Sequence, residues 1–289
     1  MRMGAYKGFE LSLSDPGILW VTLNRPERKN GMTSAMKRDM IEALTQAQMD
    51  DAVRVIVFIG SGDSFSAGDD LKGYATGMRE EVGEVPLLPP GHDTGIGTYD
   101  GLRWISQQLN TTVRQIDKIT IAAINGIAIQ TGFSLALSCD FRIAATDARL
   151  GSATLRFALL PDEGGQALLV QHLGLSRAMD FLMRKRIVTG VEAAEMGLVT
   201  SAVAPADLKA EVEALAREMA EGPQVAMRLL KRSVYNAAEM TWPQALDDIA
   251  GKTAIVDHHP DSREGVASFR EKRRPAFNAW LAGRDRDAG

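Results

Sequence analysis

The stretch "VRVIVFIGSGDSFSAGDDLK", residues 53–72, joins an apolar run to a turn of small residues that ends in two carboxylates. The run at residues 53–59 is rich in β-branched residues, which predicts a strand buried on both faces. The turn then presents Asp69 and Asp70 side by side. Such a turn can direct a backbone N–H toward a substrate, or it can be a solvated surface loop.

The bulk composition excludes several classes of protein. The chain has 289 residues, of which 45% are hydrophobic and 24% charged, and its net charge of −4 gives no strong field for nucleic acid or anionic membranes. Cys139 is the single cysteine, so an intrachain disulfide and a cysteine metal cluster are excluded. We find no signal peptide and no apolar run of the roughly 20 residues that a membrane span needs. We therefore expect a cytoplasmic protein without a metal ion.

The order of the predicted elements indicates an α/β core. A hairpin at residues 10–26 precedes an amphipathic helix at 33–50 and the buried strand, which is typical of a parallel crossover unit. The glycine- and proline-rich segment 73–101 has no clear period, so we interpret it as a lid or a disordered insertion. Further elements are a helix at about 102–115, a strand at 119–124, a small helix at 134–137 and a strand at 140–145. Helices then follow at 165–172, 176–183, 190–196, 206–221, 224–239, 242–258 and 262–272.

A second strand and turn repeat the plan of the first. The predicted strand 119–124 leads into Gln130, Thr131 and Gly132, which open a short helix. A helix N-terminus presents unpaired N–H groups and roughly half a positive charge. Two backbone donors, one from each turn, would form an oxyanion hole for a carbonyl that becomes an enolate. The spacing alone does not distinguish this arrangement from ordinary glycine turns.

Longer motifs favour an oxyanion hole over ordinary glycine turns. In order and spacing they resemble the crotonase family, the enoyl-CoA hydratase/isomerase superfamily. The likeness covers about residues 6–277. The resemblance implies an α/β crotonase (ClpP-like) fold, with a β-β-α spiral core that holds an acyl-CoA site at 1–203 and a helical C-terminal trimerisation region at 204–289. It also implies a homotrimer or a hexamer, and an acyl-CoA substrate whose coenzyme A is not a prosthetic group. The motifs are "LNRPERKNGMT" (23–33), "GSGDSFSAGDDLK" (60–72), "IAAINGIAIQTGFSLALSCDFRIAATDARLG" (121–151), "LLPDEGG" (159–165) and "LGLSRAMDFLMRKRIVTGVEAAEMGLV" (173–199).

The resemblance also assigns the oxyanion donors and shows two departures from the family. The donors correspond to the backbone N–H groups of Asp69 and Thr131. Members usually carry a small or apolar residue at the position of Asp69, so its carboxylate either points to solvent or turns inward, where it would repel an enolate. The two glutamates of the hydratases align with Ser134 and Thr154. Neither hydroxyl transfers protons near neutral pH without a base beside it.

The remaining acid or base candidates are Asp162 and Glu163 in "LLPDEGG". In some isomerases and dehalogenases of the family, the working aspartate occupies the position of Asp162. Alternatively, Asp162 caps the following helix and Glu163 stabilises its first turn through the helix dipole. We expect only one of the two adjacent side chains to face the pocket. Asp70 is expected to fix its own loop by local hydrogen bonding.

The resemblance implies a coenzyme A contact surface made of basic and turn residues. Phosphates attract cations, and arginine can bind them through two nitrogens. The predicted contacts are Arg25, Arg28, Lys29, Ala67, Asp70, Leu71, Lys72, Phe269 and Lys272.

The sequence thus predicts an acyl-CoA enzyme that stabilises an enolate. A member with altered chemistry, such as an isomerase or a hydrolase, and a non-catalytic coenzyme A binder remain alternatives. A dinucleotide oxidoreductase is disfavoured, because no glycine-rich fingerprint follows the first strand.

Overall fold

The strands form two sheets in a computed structural model that describes residue 1, residues 3–70 and residues 94–281. In chain order they are β1 (Gly4–Tyr6), β2 (Phe9–Ser14), β3 (Ile18–Leu23), β4 (Val55–Gly60), β5 (Ser64–Ser66), β6 (Ile119–Ile124), β7 (Ile127–Ile129), β8 (Phe141–Ala145), β9 (Arg149–Gly151), β10 (Ile187–Thr189) and β11 (Ser201–Val203). The larger sheet has the order β1-β2-β3-β4-β6-β8-β11, and the smaller sheet has the order β10-β9-β7-β5.

The larger sheet is parallel from β3 to β11, and β1 to β3 form an antiparallel meander at its edge. Each of β4, β6 and β8 is followed within a few residues by a short strand of the smaller sheet, namely β5, β7 and β9. This alternation between sheets is the β-β-α plan that the sequence predicts. The crotonase fold and the α/β class are therefore confirmed.

Helices connect the strands and make up the chain after β11. They are α1 (Ser34–Met49), α2 (Gly95–Gly101), α3 (Gln107–Gln115), α4 (Thr131–Ser138), α5 (Gly165–Leu173), α6 (Leu175–Met183), α7 (Gly190–Glu195), α8 (Leu208–Glu221), α9 (Gln224–Ala237), α10 (Trp242–Asp257) and α11 (Pro260–Glu271). A π-helical turn at Leu102–Ser106 joins α2 to α3, and 3₁₀ turns occupy Pro26–Arg28, Thr154–Phe157 and Ala279–Leu281. Within the described ranges, no helix has the length and apolar character needed to cross a membrane.

Most long elements lie where the sequence places them, and the helix α1 begins at the predicted cap. The Thr33 hydroxyl accepts a hydrogen bond from Met36 N at 3.1 Å. Residues 95–101 form α2, so a disordered insertion is wrong for this part of the segment, while the lid alternative stays a prediction. The rest of that predicted insertion, residues 73–93, lies outside the described residues.

The buried strands β4 and β6 form the centre of the core. Val55, Ile56, Val57 and Phe58 are fully buried, as the unbroken apolar run predicts. The helix α8 packs across β4, β6 and β8. The last strand ends at Val203. The division into a core and a helical region at residue 204 stays a prediction.

Candidate functional site

Glycines allow the turn after β5 to touch the N-terminus of α4. Gly68 has φ +99°, and a Cβ on it would lie 2.9 Å from the side chain of Gln130. A Cβ on Gly132 would lie 2.4 Å from the carbonyl oxygen of Ser66. Because a larger residue at either position would force these backbones apart, the glycines allow the two turns to lie in contact.

One backbone N–H in each turn has no acceptor among the described residues. Met32 N donates to Gly68 O at 2.8 Å, and Asp70 N donates to Met32 O at 3.0 Å. In this parallel pairing, the N–H of Asp69 points away from Met32. Thr131 is the first residue of α4, so its N–H has no acceptor within the helix. Neither N–H donates to any residue in the described part of the chain.

The residue before Thr131 has a strained backbone. Gln130 has φ 53° and ψ −118°, a conformation that favours glycine. Its N–H donates to Gly151 O at 3.1 Å, and its carbonyl accepts from Ser134 N at 2.8 Å. A strained conformation costs about 1–3 kcal/mol and is typical of functional sites.

A buried lysine from α1 lies against the first turn. Lys37 Nζ is 2.6 Å from Asp69 Oδ1, 2.8 Å from Ser106 Oγ and 3.8 Å from Glu163 Oε1. The side chain of Lys37 is 2% exposed, and that of Asp69 is 41% exposed. Asp69 therefore does not simply point to solvent, because one of its carboxylate oxygens turns inward to a buried cation. Neither Lys37 nor Ser106 was predicted from the sequence as a site residue.

Thr131 links two carboxyl groups through its hydroxyl. Its Oγ1 is 2.9 Å from Asp69 Oδ1 and is also hydrogen-bonded to Glu163 Oε1. Burial raises the pKa of Glu163 to about 7, against the lowering effect of Lys37 and with a further increase from Asp69. Burial also raises the pKa of Asp162, and the charge of Asp69 raises it further. The charges of Lys37 and Asp69 act on both carboxyl groups, and the expectation that only one of the two faces the pocket stays a prediction.

The helix α3 holds the segment that carries the two carboxyl groups. Gln107 Nε2 donates to Asp162 O at 2.9 Å, and Asn110 Nδ2 donates to Glu163 O at 2.9 Å. The cap of α5 is Gly164, and no side chain caps this helix. Asp162 is therefore not the cap, and Glu163 does not lie in the first turn. Both structural alternatives from the sequence are overturned.

The hydroxyls at the positions of the two hydratase glutamates make ordinary contacts. Ser134 is 2% exposed, and its Oγ lies 2.9 Å from the place where a Cβ on Gly165 would be. Thr154 is 6% exposed and its Oγ1 is 3.2 Å from Ser152 Oγ. Neither hydroxyl is hydrogen-bonded to a carboxylate or a histidine of the residues described.

Arg25 contacts the first turn through Asp70. Its Nη2 is 2.9 Å from Asp70 Oδ2, and its Nη1 donates to Gly31 O at 2.7 Å. Asp70 is thus held by an arginine distant in sequence, which adds to the local bonding expected of it. The guanidinium of Arg25 already has these partners, so its contact with coenzyme A stays a prediction.

The other predicted coenzyme A contacts lie mostly at the surface. Lys29 Nζ is 2.7 Å from Asp63 Oδ2, and Ala67 N donates to Lys29 O at 2.9 Å. Leu71 and Lys72 lie outside the described residues. The remaining predicted contacts are exposed side chains, namely Arg28, Phe269 and Lys272.

No metal centre is evident in the part of the chain that the structure covers. Among those residues, no group of three or more histidine, cysteine, aspartate or glutamate side chains could hold a metal ion. The site is a cluster of three carboxyl groups and one lysine beside two backbone N–H groups that have no acceptor among the described residues. This combination suits proton transfer next to a carbonyl that gains negative charge.

Comparison with known proteins agrees with this architecture. The enoyl-CoA hydratase/isomerase family model matches residues 14–86 and 92–279. The 1,2-epoxyphenylacetyl-CoA isomerase of Escherichia coli is 32% identical over 93% of this chain and 98% of its own. The hydroxycinnamoyl-CoA hydratase-lyase of Pseudomonas fluorescens is 30% identical over 96% of this chain and 98% of its own.

Solved structures extend the agreement to three dimensions. The crystal structure of an enoyl-CoA hydratase from Bacillus anthracis superposes with a TM-score of 0.84 at 30% identity, over 94% of this chain and 99% of that one. An enoyl-CoA hydratase from Mycobacterium smegmatis gives a TM-score of 0.83 at 28% identity, over 94% of this chain and 100% of that one. Sequence motifs, fold and these likenesses agree, and the chain belongs to the enoyl-CoA hydratase/isomerase family, the crotonase superfamily.

Proposed function

We propose that the protein is an acyl-CoA isomerase that works through a thioester enolate, with Asp162 as the proton carrier. One observation carries the proposal. A half-buried carboxyl group of raised pKa lies in the cluster where the two turns meet, whereas the hydratase positions hold Ser134 and Thr154. The site therefore offers a tuned base but lacks the usual hydratase pair.

The backbone donors would stabilise the charge that develops on the thioester oxygen. The N–H groups of Asp69 and Thr131 would both donate to that oxygen as the enolate forms. Losing one donor of such a pair costs on the order of 3 kcal/mol of transition-state stabilisation. The ionised carboxylate of Asp162 would remove a proton from one carbon of the acyl chain and return it to another. A single base suffices for such a double-bond migration.

Asp162 is a better candidate than Glu163 because a substrate can reach it. Asp162 is half-buried, whereas Glu163 is 4% exposed and its carboxyl group is engaged with Thr131. Hydration is the second candidate, because a second carboxyl group, Glu163, adjoins Asp162. Hydration would need both carboxyl groups to reach one water molecule, and Glu163 is buried away from solvent.

The names of two relatives and the exposed cations of this chain support the assignment of an acyl-CoA substrate. One relative is named an isomerase and another a hydratase-lyase, and both names include a coenzyme A thioester. We assign this chain an acyl-CoA substrate, a homotrimeric or hexameric assembly and a cytoplasmic location. Arg28, Lys29 and Lys272 are exposed cations that could meet the coenzyme A phosphates.

Turnover of an acyl-CoA panel by the wild type and by Asp162→Asn tests the proposal. Chromatography of 2-enoyl and 3-enoyl esters should reveal double-bond migration in the wild type. Asp162→Asn should lower kcat by at least about 100-fold, in line with the usual contribution of a general base, and should leave the Kd for coenzyme A unchanged.

Asp180→Asn is the matched control, because Asp180 lies on α6 and pairs there with Arg184 and Arg186. It should leave kcat within a factor of two. Full turnover in Asp162→Asn would end the assignment of Asp162. Hydration of the 2-enoyl ester by the wild type would favour the second candidate.

A further inference from the structure

The four side chains Lys37, Asp69, Thr131 and Glu163 form one continuous chain of polar contacts. Lys37 Nζ contacts Asp69 Oδ1, that same oxygen contacts Thr131 Oγ1, and Thr131 Oγ1 contacts Glu163 Oε1. Lys37, Thr131 and Glu163 are all buried. We call this chain of contacts the relay.

The hydroxyl in the middle of the relay limits the number of protons. A threonine hydroxyl carries one hydrogen, and an ionised carboxylate can only accept. Thr131 Oγ1 contacts a carboxyl oxygen on each side. If both carboxyl groups were ionised, one of the two oxygen–oxygen contacts would lack a hydrogen atom. The geometry therefore requires one further proton on either Asp69 or Glu163.

Lys37 decides which carboxyl group holds that proton. Its ammonium group is 2.6 Å from Asp69 Oδ1 and 3.8 Å from Glu163 Oε1, which exceeds hydrogen-bond distance. Asp69 Oδ1 therefore accepts a hydrogen bond from the ammonium group, whereas Glu163 Oε1 does not. The proton then lies on Glu163, which donates to Thr131, and the Thr131 hydroxyl donates to Asp69.

We propose that Glu163 keeps one proton in the free enzyme because it faces, across the Thr131 hydroxyl, an Asp69 carboxylate whose negative charge is paired with Lys37. This inference rests on the proposed function, since its consequence concerns Asp162. With Glu163 neutral and the charge of Asp69 balanced by Lys37, Asp162 is the one carboxylate of the cluster that carries uncompensated negative charge. The enolate would then form beside a nearly neutral surface, and Asp162 would be free to act as the base.

The contacts of Lys37 are inconsistent with a role as the base that activates Ser106. Its Nζ is 2.8 Å from Ser106 Oγ, a pairing that could activate a serine for thioester hydrolysis if the amine were neutral. Lys37 Nζ is paired with the Asp69 carboxylate at 2.6 Å, and an ammonium group has no lone pair to accept a proton. Ser106 therefore accepts a hydrogen bond from Lys37 and helps to hold it in place.

Three charged groups in the described part of the chain act on Glu163. They are Lys37 on α1, Asp69 on the first turn and Asp162 beside it, while Thr131 and Ser106 supply neutral hydroxyls. Burial raises the pKa of Glu163 to about 7, Lys37 lowers it, and both aspartates raise it further. Loss of Lys37 should therefore raise this pKa, and loss of the charge on Asp69 should lower it.

The test is a pH titration of Glu163 in the free enzyme by ¹³C NMR of labelled glutamate carboxyl groups. The signal is assigned as the one that disappears in Glu163→Gln. In the wild type, we expect a midpoint near the value of about 7 that burial imposes. Lys37→Met should raise that midpoint by about one pH unit or more, and Asp69→Asn should lower it by a similar amount. Lys37→Arg is the matched control, because it keeps the charge.

Opposite shifts in the two variants would support the relay, because a purely structural role would not produce them. A wild-type midpoint in the ordinary glutamate range near 4.3 would overturn it, as would equal midpoints in all variants. If Lys37→Met does not fold, Asp69→Asn alone decides, since an unchanged or higher midpoint in that variant contradicts the proposal.

The titration needs no turnover, so its outcome is independent of the Asp162→Asn result. An active Asp162→Asn enzyme would end the isomerase assignment. The titration would still show whether Glu163 is protonated. A glutamate midpoint in the ordinary range, together with an inactive Asp162→Asn enzyme, would end the relay and keep the proposed function.

Discussion

The contact between the two turns predicts that Gly132→Ala damages catalysis more than it damages folding. A Cβ at this position would lie 2.4 Å from Ser66 O, which is 0.6 Å closer than the 3.0 Å that real Cβ contacts respect. Because the obstacle is backbone, either β5 or the start of α4 must move. Overpacking of this kind costs about 1–3 kcal/mol of stability. The same displacement moves the N–H of Thr131 relative to that of Asp69, and shifts of about 1 Å can cost 100-fold in rate.

The assay is kcat/KM on an acyl-CoA that the wild type converts, together with Tm. We expect a loss of roughly 10- to 100-fold in kcat/KM while the variant stays folded. Gly251→Ala on α10 is the control, because a Cβ there meets nothing within 4 Å. It should leave activity unchanged and raise stability by about 0.5–1 kcal/mol. A folded Gly132→Ala enzyme with kcat/KM within threefold of wild type would refute the reasoning.

Two further predictions concern stability. Gln130→Gly should stabilise the protein by about 1 kcal/mol in urea, because the strain of a non-glycine residue at φ 53° is relieved; a loss of stability would show that the strain is absent. Glu163 has a pKa raised by burial from 4.5 to about 7, so its protonated form stabilises the fold fully below pH 4.5, and this contribution is lost as the pH rises through about 7. As the pH rises from 5 to 8, the free energy of unfolding of the wild type should therefore fall by up to about 3 kcal/mol relative to that of Glu163→Gln. An identical pH dependence of the two unfolding free energies would contradict this.

Local patterns in the sequence predicted the longer elements and the two turns. The apolar run that became β4 and the cap at Thr33 are signals that lie within a few neighbouring residues. The short strands β5, β7 and β9 were not predicted, because three residues are too few to show a period. Their partners are separated from them by long stretches of chain, so only the folded arrangement identifies them.

The spacing of residues in α1 indicates from the sequence that Lys37 lies on the buried face of this helix. It precedes Met40, Leu44 and Ala47 by three, seven and ten residues, so it lies on the buried face of α1. A charged residue on an apolar helix face indicates a buried partner, but it does not say which one. The partners of Lys37 come from the first turn, the π-helical turn and the segment before α5.

The sequence by itself determined the family and the α/β class, and it made Asp162 and Glu163 candidates, because motifs of adjacent residues carry that information. Only the tertiary structure decided that Asp69 turns inward to Lys37, that both members of the pair join one cluster and that Arg25 holds Asp70. The physical reason is that protonation and side-chain direction depend on burial and on charges from distant segments, and folding alone brings these together.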